Sequence, residues 1–330
     1  MNSAAIARFT RWISRQGAWR RISIFLLMLI VVWAPAAALV YLPGAWLEGS
    51  NIAEIVVLAL LYIAFLLGLP WWGRWINQWS RPFQHCGLMF RAQTGRDMAL
   101  ALVIGVLGVF SLFGIEALLG WATPSSPSPR IVRFVIEGLI MALAVGLAEE
   151  LLFRGWLLAE LEQNYSSAVA LVMNALFFAG THFIKPWSEI VRTLPQFLGL
   201  FVLAMALVWA RRSPTGSHVK GLYKKGLHKA DIESQLQPHS RQAQSSDTAQ
   251  FRDEKATSSV GSLGYPIGLH AGLIWGYYIV NVGGLIEYTG RAPTWITGID
   301  NNPLAGLLGV ILLGLIARQF AKTAKPKVCL

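Results

Sequence analysis

Charged residues are scarce in this sequence, and cysteine is almost absent. Only 14% of the 330 residues are Asp, Glu, Lys or Arg, whereas a soluble domain has about 25%. The two cysteines, Cys86 and Cys329, lie far apart and outside any Cys-x-x-Cys pattern, so neither a disulfide framework nor a thiolate zinc site is expected. With 55% apolar residues and a mean hydropathy of +0.50, the composition indicates a polytopic membrane protein.

Eight apolar runs are candidates for transmembrane helices, which need about 17–25 residues. The sixth is the shortest, and the fourth continues as a helix towards Glu162. A cleaved signal peptide is the alternative for the first run, but the long charged N-terminal region and the later runs favour an uncleaved anchor. The predicted fold class is therefore an all-α transmembrane bundle of about eight spans. The runs occupy residues 22–42, 52–72, 98–121, 134–158, 168–184, 197–210, 265–285 and 304–320.

Lysine and arginine are distributed unevenly along this predicted topology. Twenty-two of the 28 lie in the N-terminal segment, the loops after the second and sixth runs, and the C-terminal segment, whereas five lie in the loops of the other side. Positive residues favour the cytoplasmic side, so both termini are predicted to be cytoplasmic. Topology and affinity for an anionic lipid bilayer explain the net charge of +11, and no nucleic-acid partner is expected.

A polar segment interrupts the sequence at residues 218–262. It is rich in Gln, Ser and Lys and low in aromatic residues, which is typical of disorder. Its end, Val260-Gly-Ser262, echoes Thr215-Gly-Ser217, and joining its edges leaves a short loop. We interpret it as a disordered insertion in a cytoplasmic loop, without a catalytic role. The predicted regions are an N-terminal part with three spans (1–129), a core interrupted by this insertion (130–285), and a last span with a basic tail (286–330).

Two adjacent glutamates and an arginine, Glu149, Glu150 and Arg154, lie in the fourth apolar run. A carboxylate in hydrocarbon costs at least ~2.5 kcal/mol, so such residues are usually functional. Around a helix axis, Arg154 lies about 40° from Glu150 but about 140° from Glu149. Glu150 and Arg154 are therefore predicted to pair, which leaves Glu149 free for chemistry. A purely structural ion pair is the alternative, but it does not explain Glu149.

Two histidines on later runs are candidate partners of Glu149. His182 and Glu149 are about equally far from the polar turn near residue 165, so an antiparallel hairpin would place both about 25 Å from that turn. His270 lies among glycines that recur every four residues from Gly264 to Gly276, a spacing that allows close contact between membrane helices. The alternative is that each histidine is a buried structural residue and that the glycines serve packing alone.

Three features, taken in chain order, resemble the CPBP intramembrane protease family. They are Glu-Glu-x-x-x-Arg at 149–154, Phe-x-x-x-His at 178–182 and His270 on a later span. That family includes CAAX prenyl endopeptidases of the Ras-converting type and bacterial relatives linked to bacteriocin self-immunity. The resemblance covers roughly residues 130–285. It departs at Ile274, where the family commonly has Asn, so either another group substitutes or activity is altered. Asn174 and Asn281 are weaker site candidates.

The resemblance implies an intramembrane endopeptidase whose substrate is a membrane-bound or prenylated-type protein or peptide. The implied site residues are Glu149, Glu150, Arg154, His182 and His270. Glu149 would activate water as a general base. The histidines would stabilise the oxyanion or, with Glu149, bind one divalent metal such as zinc. The metal-free mechanism is slightly favoured, because no two of these ligands share a helix.

A non-catalytic immunity or scaffold protein of the same fold is the alternative, and Ile274 is its best support. No Gly-x-Ser-x-Gly motif or Cys/His pair supports a covalent nucleophile. The runs show no internal duplication of the kind that transporters often have. The expected location is a bacterial plasma membrane or an internal membrane.

Overall fold

The computed structural model describes residues 3–41, 52–214 and 261–324, and these are mostly helical, which confirms the predicted all-α class. The helices are α1 Ser3–Ser14, α2 Ala18–Tyr41, α3 Ile52–Trp75, α4 Pro82–His85, α5 Ala92–Leu118, α6 Ile131–Glu150, α7 Leu158–Leu161, α8 Ser167–Thr181, α9 Trp187–Thr193, α10 Gln196–Arg212, α11 Gly264–Val282, α12 Thr294–Thr297 and α13 Leu307–Thr323. A π-helical turn, Leu151–Leu157, joins α6 to α7, and 3₁₀ turns lie at Ile299–Asn301 and Pro303–Ala305. Two strands, β1 Ala122–Pro124 and β2 Ile286–Tyr288, pair antiparallel.

The eight predicted runs are all helical, but eight membrane spans are not confirmed. Among the described residues, α2, α3, α5 and the continuous helix Ile131–Leu161 are long and apolar enough to cross a membrane. Helices α9 and α10 make a fifth span only as one broken element, because they are bent by 72°. Helix α8 has 15 residues, so it is about 22 Å long and shorter than the ~30 Å hydrocarbon core.

Apolar side chains cover the outer surface of the long helices. Leu27, Val31 and Val32 on α2 and Leu67 on α3 are all at least 60% exposed. Apolar surface of this extent on a protein marks a membrane or a partner. Together with the four long apolar helices, it identifies an integral membrane protein.

Polar contacts at one end of the bundle join loops that were predicted to share a side. Buried Glu160 accepts hydrogen bonds from Arg21 Nε at 2.9 Å and from Trp72 Nε1 at 2.7 Å. Arg212 Nη2 donates to Glu162 Oε1 at 2.9 Å. Four parts of the chain therefore lie together at this end: the N-terminal segment, the end of α3, the turn after α7 and the end of α10. That this end faces the cytoplasm stays a prediction.

The opposite end of the bundle has its own contacts. In the strand pair, Ala122 lies opposite Tyr288, whose hydroxyl donates to Glu116 Oε2 at 2.8 Å. Burial raises the pKa of Tyr288, so the hydroxyl keeps its proton. Arg192 Nη1 donates to Asp300 Oδ1 at 2.6 Å. The loops after α5, α8 and α11 therefore lie together, as the predicted alternation of sides requires.

Helix α11 lies against both α5 and α6, and its glycines make the contact with α5 close. A Cβ on Gly268 or Gly272 would overlap the carbonyl oxygen of Met98 or Leu102, respectively. The close helix contact predicted from the four-residue spacing is therefore confirmed. His270 lies between these two glycines and is 6% exposed, so the same contact fixes its height in the bundle.

The insertion predicted at 218–262 lies outside the described residues, except for Gly261 and Ser262. A Cβ on Gly261 would overlap the carbonyl oxygen of Arg211, so the chain that leaves α10 lies beside the chain that enters α11. Gly261 has a φ of 75°, which favours glycine. The Gly264 N–H donates to the Ser262 hydroxyl at 3.1 Å. Arg211 at the end of α10 and Gly261 before α11 therefore lie side by side.

Deletion of residues 218–262 should leave the bundle intact, because Gly216 and Ser217 would then take the places of Gly261 and Ser262. We expect membrane insertion and a thermal unfolding midpoint in detergent close to those of the wild type. A matched control that deletes residues 216–262 removes both the glycine and the capping serine, and its midpoint should be lower. An equally low midpoint in both deletions would contradict the prediction.

Candidate functional site

Glu150 and Arg154 form a buried ion pair where α6 continues into the π-helical turn. Arg154 Nη1 donates to Glu150 Oε1 at 2.9 Å, and neither side chain is exposed. The Arg154 guanidinium also lies 4.1 Å from the centre of the Phe178 ring on α8, a distance at which cation and ring attract. The pair predicted from the i, i+4 spacing is therefore present, and it lies against a second helix.

Glu150 also contacts His270 on α11. Its Oε1 lies 2.8 Å from His270 Nδ1. Because an ionised carboxylate only accepts hydrogen bonds, we assign the proton to Nδ1, which leaves Nε2 as the free nitrogen. The contact joins residues 120 positions apart, and it was not predicted from the sequence because no local pattern relates them.

Glu149 lies near the other nitrogen of His270. Its Oε2 is 3.9 Å from His270 Nε2, which is too long for a direct hydrogen bond. No described residue donates a hydrogen bond to this oxygen. The Glu149 side chain is 30% exposed, whereas that of Glu150 is fully buried. The two adjacent glutamates therefore differ as the helix geometry predicts: Glu150 is paired, and Glu149 has a free acceptor.

His182 follows the last residue of α8. Its Nδ1 lies 2.8 Å from the Phe178 carbonyl oxygen, so Nδ1 donates and Nε2 is again the free nitrogen. The Phe178 ring contacts both histidines, with centroid distances of 4.8 Å to His182 and 5.9 Å to His270. Phe178 therefore connects the two histidines and Arg154 in one cluster.

One cavity of about 240 Å³, which has room for several water molecules, brings the candidate residues together. It lies between the ends of α6 and α8, the start of α10, the middle of α11 and the segment before α13. Glu149 and His182 both line it, which agrees with the equal heights predicted from the hairpin. The other lining residues are mostly apolar and include Ile274. The polar lining residues are Glu149, His182, Gln196, His270, Tyr277 and Asn302.

Four sequence-predicted residues do not line this cavity. Glu150 and Arg154 lie behind His270, in the buried pair. Asn174 Nδ2 donates to the Phe153 carbonyl at 2.7 Å, and Asn281 Nδ2 donates to the hydroxyl of Tyr277. Asn174 and Asn281 therefore support the site from outside the cavity.

Gln196 and Asn302 line the cavity but were not predicted as site residues. Gln196 is the first residue of α10, and Asn302 lies between two 3₁₀ turns. Polar residues are ordinary at helix ends and in loops. No signal in the sequence therefore distinguished these two amides from other polar residues in connecting segments.

The π-helical turn directly after the two glutamates was also not predicted. Such turns occur frequently at functional sites. Two side chains donate to carbonyl oxygens within it: Asn174 Nδ2 to Phe153 at 2.7 Å and Arg211 Nη1 to Gly155 at 3.3 Å. These donors help to satisfy backbone groups in a buried segment, where unpaired carbonyls are costly.

Residues 131–219 match the family model described as Rce1-like, the type II CAAX prenyl endopeptidases. This segment is similar to the Rce1-like family. The match confirms the resemblance to the CPBP and CAAX protease family that the motifs indicated. The Rce1-like segment contains Glu149, Glu150, Arg154 and His182, whereas His270 lies beyond it. No curated protein and no solved structure matches the chain.

A divalent metal such as zinc was predicted as a possible ligand of Glu149, His182 and His270. Metal-binding histidines commonly donate their second N–H to an acceptor, as His182 and His270 do in the assigned tautomers. However, no three His, Cys, Asp or Glu side chains in the described ranges are close enough to hold a metal ion. Catalytic zinc usually has three protein ligands. The described residues therefore show no set of three such ligands, and Glu149 Oε2 and His270 Nε2 lie 3.9 Å apart.

Glu150→Gln should destabilise the protein, whereas Glu149→Gln should not. Loss of the Glu150 charge leaves buried Arg154 uncompensated, and breaking such a pair costs about 3–5 kcal/mol. Glu149→Gln removes no hydrogen bond from a described residue, so the free energy of unfolding should change by no more than about 0.5 kcal/mol. Thermal or denaturant unfolding in detergent measures both. Equal stabilities of the two variants would contradict the assignment of Glu150 as the buried partner.

Proposed function

We propose that this protein is an intramembrane endopeptidase in which Glu149 activates a water molecule. The observation that carries the proposal is the 3.9 Å separation of Glu149 Oε2 and His270 Nε2 at the cavity. With the His270 proton on Nδ1, both facing atoms are acceptors. A water molecule between them would donate one hydrogen bond to each, and a separation beyond 3.5 Å is typical of a water-mediated contact.

Peptide hydrolysis at this water proceeds in two steps. In the first, Glu149 takes a proton from the water as general base, while the water oxygen attacks the peptide carbonyl carbon and the C=O π electrons move to oxygen. In the second, the tetrahedral intermediate collapses, the C–N bond breaks, and the proton passes from Glu149 to the leaving amine. The products are a carboxylic acid and an amine, and Glu149 is ionised again.

Glu150 and Arg154 act in this mechanism as positioning residues. Glu150 accepts from His270 Nδ1, which fixes the tautomer and directs the Nε2 acceptor to the water. Arg154 balances the charge of Glu150. Without it, the two neighbouring carboxylates would repel each other.

His182 contributes a second acceptor to the cavity. Its Nδ1 is engaged with the Phe178 carbonyl, so Nε2 is available to accept from a substrate amide N–H. An acceptor of this kind orients the peptide without taking part in proton transfer, so His182→Ala affects substrate alignment first.

The proposed substrate class is a membrane-associated or prenylated-type protein or peptide. The match to the type II CAAX prenyl endopeptidases supports this class, and so does the mostly apolar lining of the cavity. We further propose that both termini face the cytoplasm, because Arg21 and Arg212 lie at one end of the bundle and positive residues favour the cytoplasmic side. The membrane would be a bacterial plasma membrane or an internal membrane.

Glu149→Gln should lower kcat by roughly 10²–10⁴-fold, the usual contribution of a general base, without changing the unfolding midpoint. The assay follows cleavage of a fluorogenic prenylated CAAX peptide in detergent, supported by proteomic comparison of wild-type and variant membranes. Glu137→Gln is the matched control, because Glu137 is exposed on the same helix, and it should keep full activity. Wild-type cleavage by Glu149→Gln would refute the role of Glu149.

A metalloprotease is the second candidate mechanism, because both histidines leave Nε2 free as a ligand. Under the metal-free proposal, a strong chelator should leave activity unchanged, since no step needs a metal. Inactivation by the chelator with recovery on adding zinc would favour the metalloprotease. So would stoichiometric zinc in active protein that is lost, together with activity, in His182→Ala.

A non-catalytic immunity or scaffold protein is favoured by one observation, the apolar Ile274 in the cavity. If the protein is non-catalytic, the wild type should cleave no peptide, and wild-type and Glu149→Gln membranes should have identical peptide profiles. The proteomic comparison therefore distinguishes a non-catalytic protein from an endopeptidase.

A further inference from the structure

The proposed reaction places negative charge on the carbonyl oxygen, and this oxyanion needs hydrogen-bond donors in the cavity. With the histidine tautomers assigned above, three of the polar lining residues have no free donor. His182 and His270 use their Nδ1 protons for the Phe178 carbonyl and Glu150. The Tyr277 hydroxyl donates to the Asp300 carbonyl oxygen at 3.2 Å.

Two side-chain amides remain as donors, those of Gln196 and Asn302. Asn302 is the better oriented of the two. The Leu304 N–H donates to Asn302 Oδ1 at 3.1 Å, which identifies the oxygen end of the amide and leaves Nδ2 as the free end. No described residue accepts from this Nδ2. Gln196 makes no comparable bond within the described ranges, and its side chain has one more rotatable bond.

The segment that carries Asn302 is held in place before any substrate binds. The Asn302 N–H donates to the Ile299 carbonyl at 3.1 Å. Asp300 accepts from Arg192 Nη1 at 2.6 Å through its side chain and from Tyr277 through its carbonyl. A donor that is fixed in advance stabilises developing charge without a cost of reorganisation.

We infer that Asn302 is a catalytic residue whose Nδ2 donates a hydrogen bond to the oxyanion of the tetrahedral intermediate. The inference rests on the proposed endopeptidase function. It places part of the catalytic site in the loop before α13, outside the Rce1-like segment 131–219. It also supplies an amide to a cavity in which position 274 is apolar.

The experiment compares Asn302→Ser with Gln196→Met in the full chain, with a prenylated CAAX peptide as the probe. Serine keeps an acceptor for the Leu304 N–H, as cap residues do, but lacks the amide donor. We expect kcat of Asn302→Ser to fall about 10²–10³-fold, the usual loss of one oxyanion donor. Its KM and unfolding midpoint should stay close to those of the wild type. Gln196→Met removes the other amide that lines the cavity, and its loss of kcat should be smaller than that of Asn302→Ser.

Two results would overturn the inference and leave the proposed function in place. One is wild-type kcat in Asn302→Ser while Glu149→Gln is inactive in the same assay. The other is a large loss in Gln196→Met without one in Asn302→Ser. If Asn302→Ser lowers the unfolding midpoint, Asn302→Thr repeats the test, since its hydroxyl keeps an acceptor, lacks the amide N–H and adds no charge. Full activity of Glu149→Gln would instead refute the role of Glu149, and absence of cleavage by the wild type would refute the proposed function.

Discussion

One buried carboxylate, that of Glu150, determines the geometry of the site. It is bound by Arg154 from its own helix and by His270 from α11, and it has no exposed surface. Moving a carboxylate out of water costs several kcal/mol, so the arrangement is stable only while its partners are in place. Because the partners lie on different helices, these two bonds fix the rotation of α6 against α11. The separation of Glu149 and His270 follows from that rotation.

The contact between Glu150 and His270 also requires α11 to lie at the right height and close to its neighbours. Gly268 and Gly272 bring it against the backbone of α5, and Gly146 allows α6 to approach the Ile267 carbonyl from the other side. Small residues on both sides of His270 thus admit a polar ring where larger side chains would separate the helices. The glycines set its position, and Glu150 then sets its orientation.

Much of this arrangement could be predicted from the sequence, and the remainder has a physical reason. The helical segments follow from apolar runs, the pair of Glu150 and Arg154 follows from the 100° step, and the shared height of Glu149 and His182 follows from one hairpin. Two features could not be predicted: the contact of Glu150 with His270 and the position of Asn302. Both depend on packing between distant segments, and local periodicity carries no information about such packing. The count of eight spans is not confirmed, because hydropathy reports composition and not the length or direction of a helix such as α8.

In the proposed mechanism the two adjacent glutamates have separate roles: Glu150 stabilises the fold, and Glu149 takes part in the reaction. If the base were the carboxylate bound to Arg154, every proton transfer would break a buried ion pair, at a cost of about 3–5 kcal/mol. In the proposed mechanism the base is Glu149, which has no described hydrogen-bond donor at Oε2, so Glu150, Arg154 and His270 keep their bonds during the reaction. Glu149 precedes Glu150 by one position, which turns its side chain by about 100° around the helix. Proton transfer at Glu149 therefore does not require the buried ion pair to break.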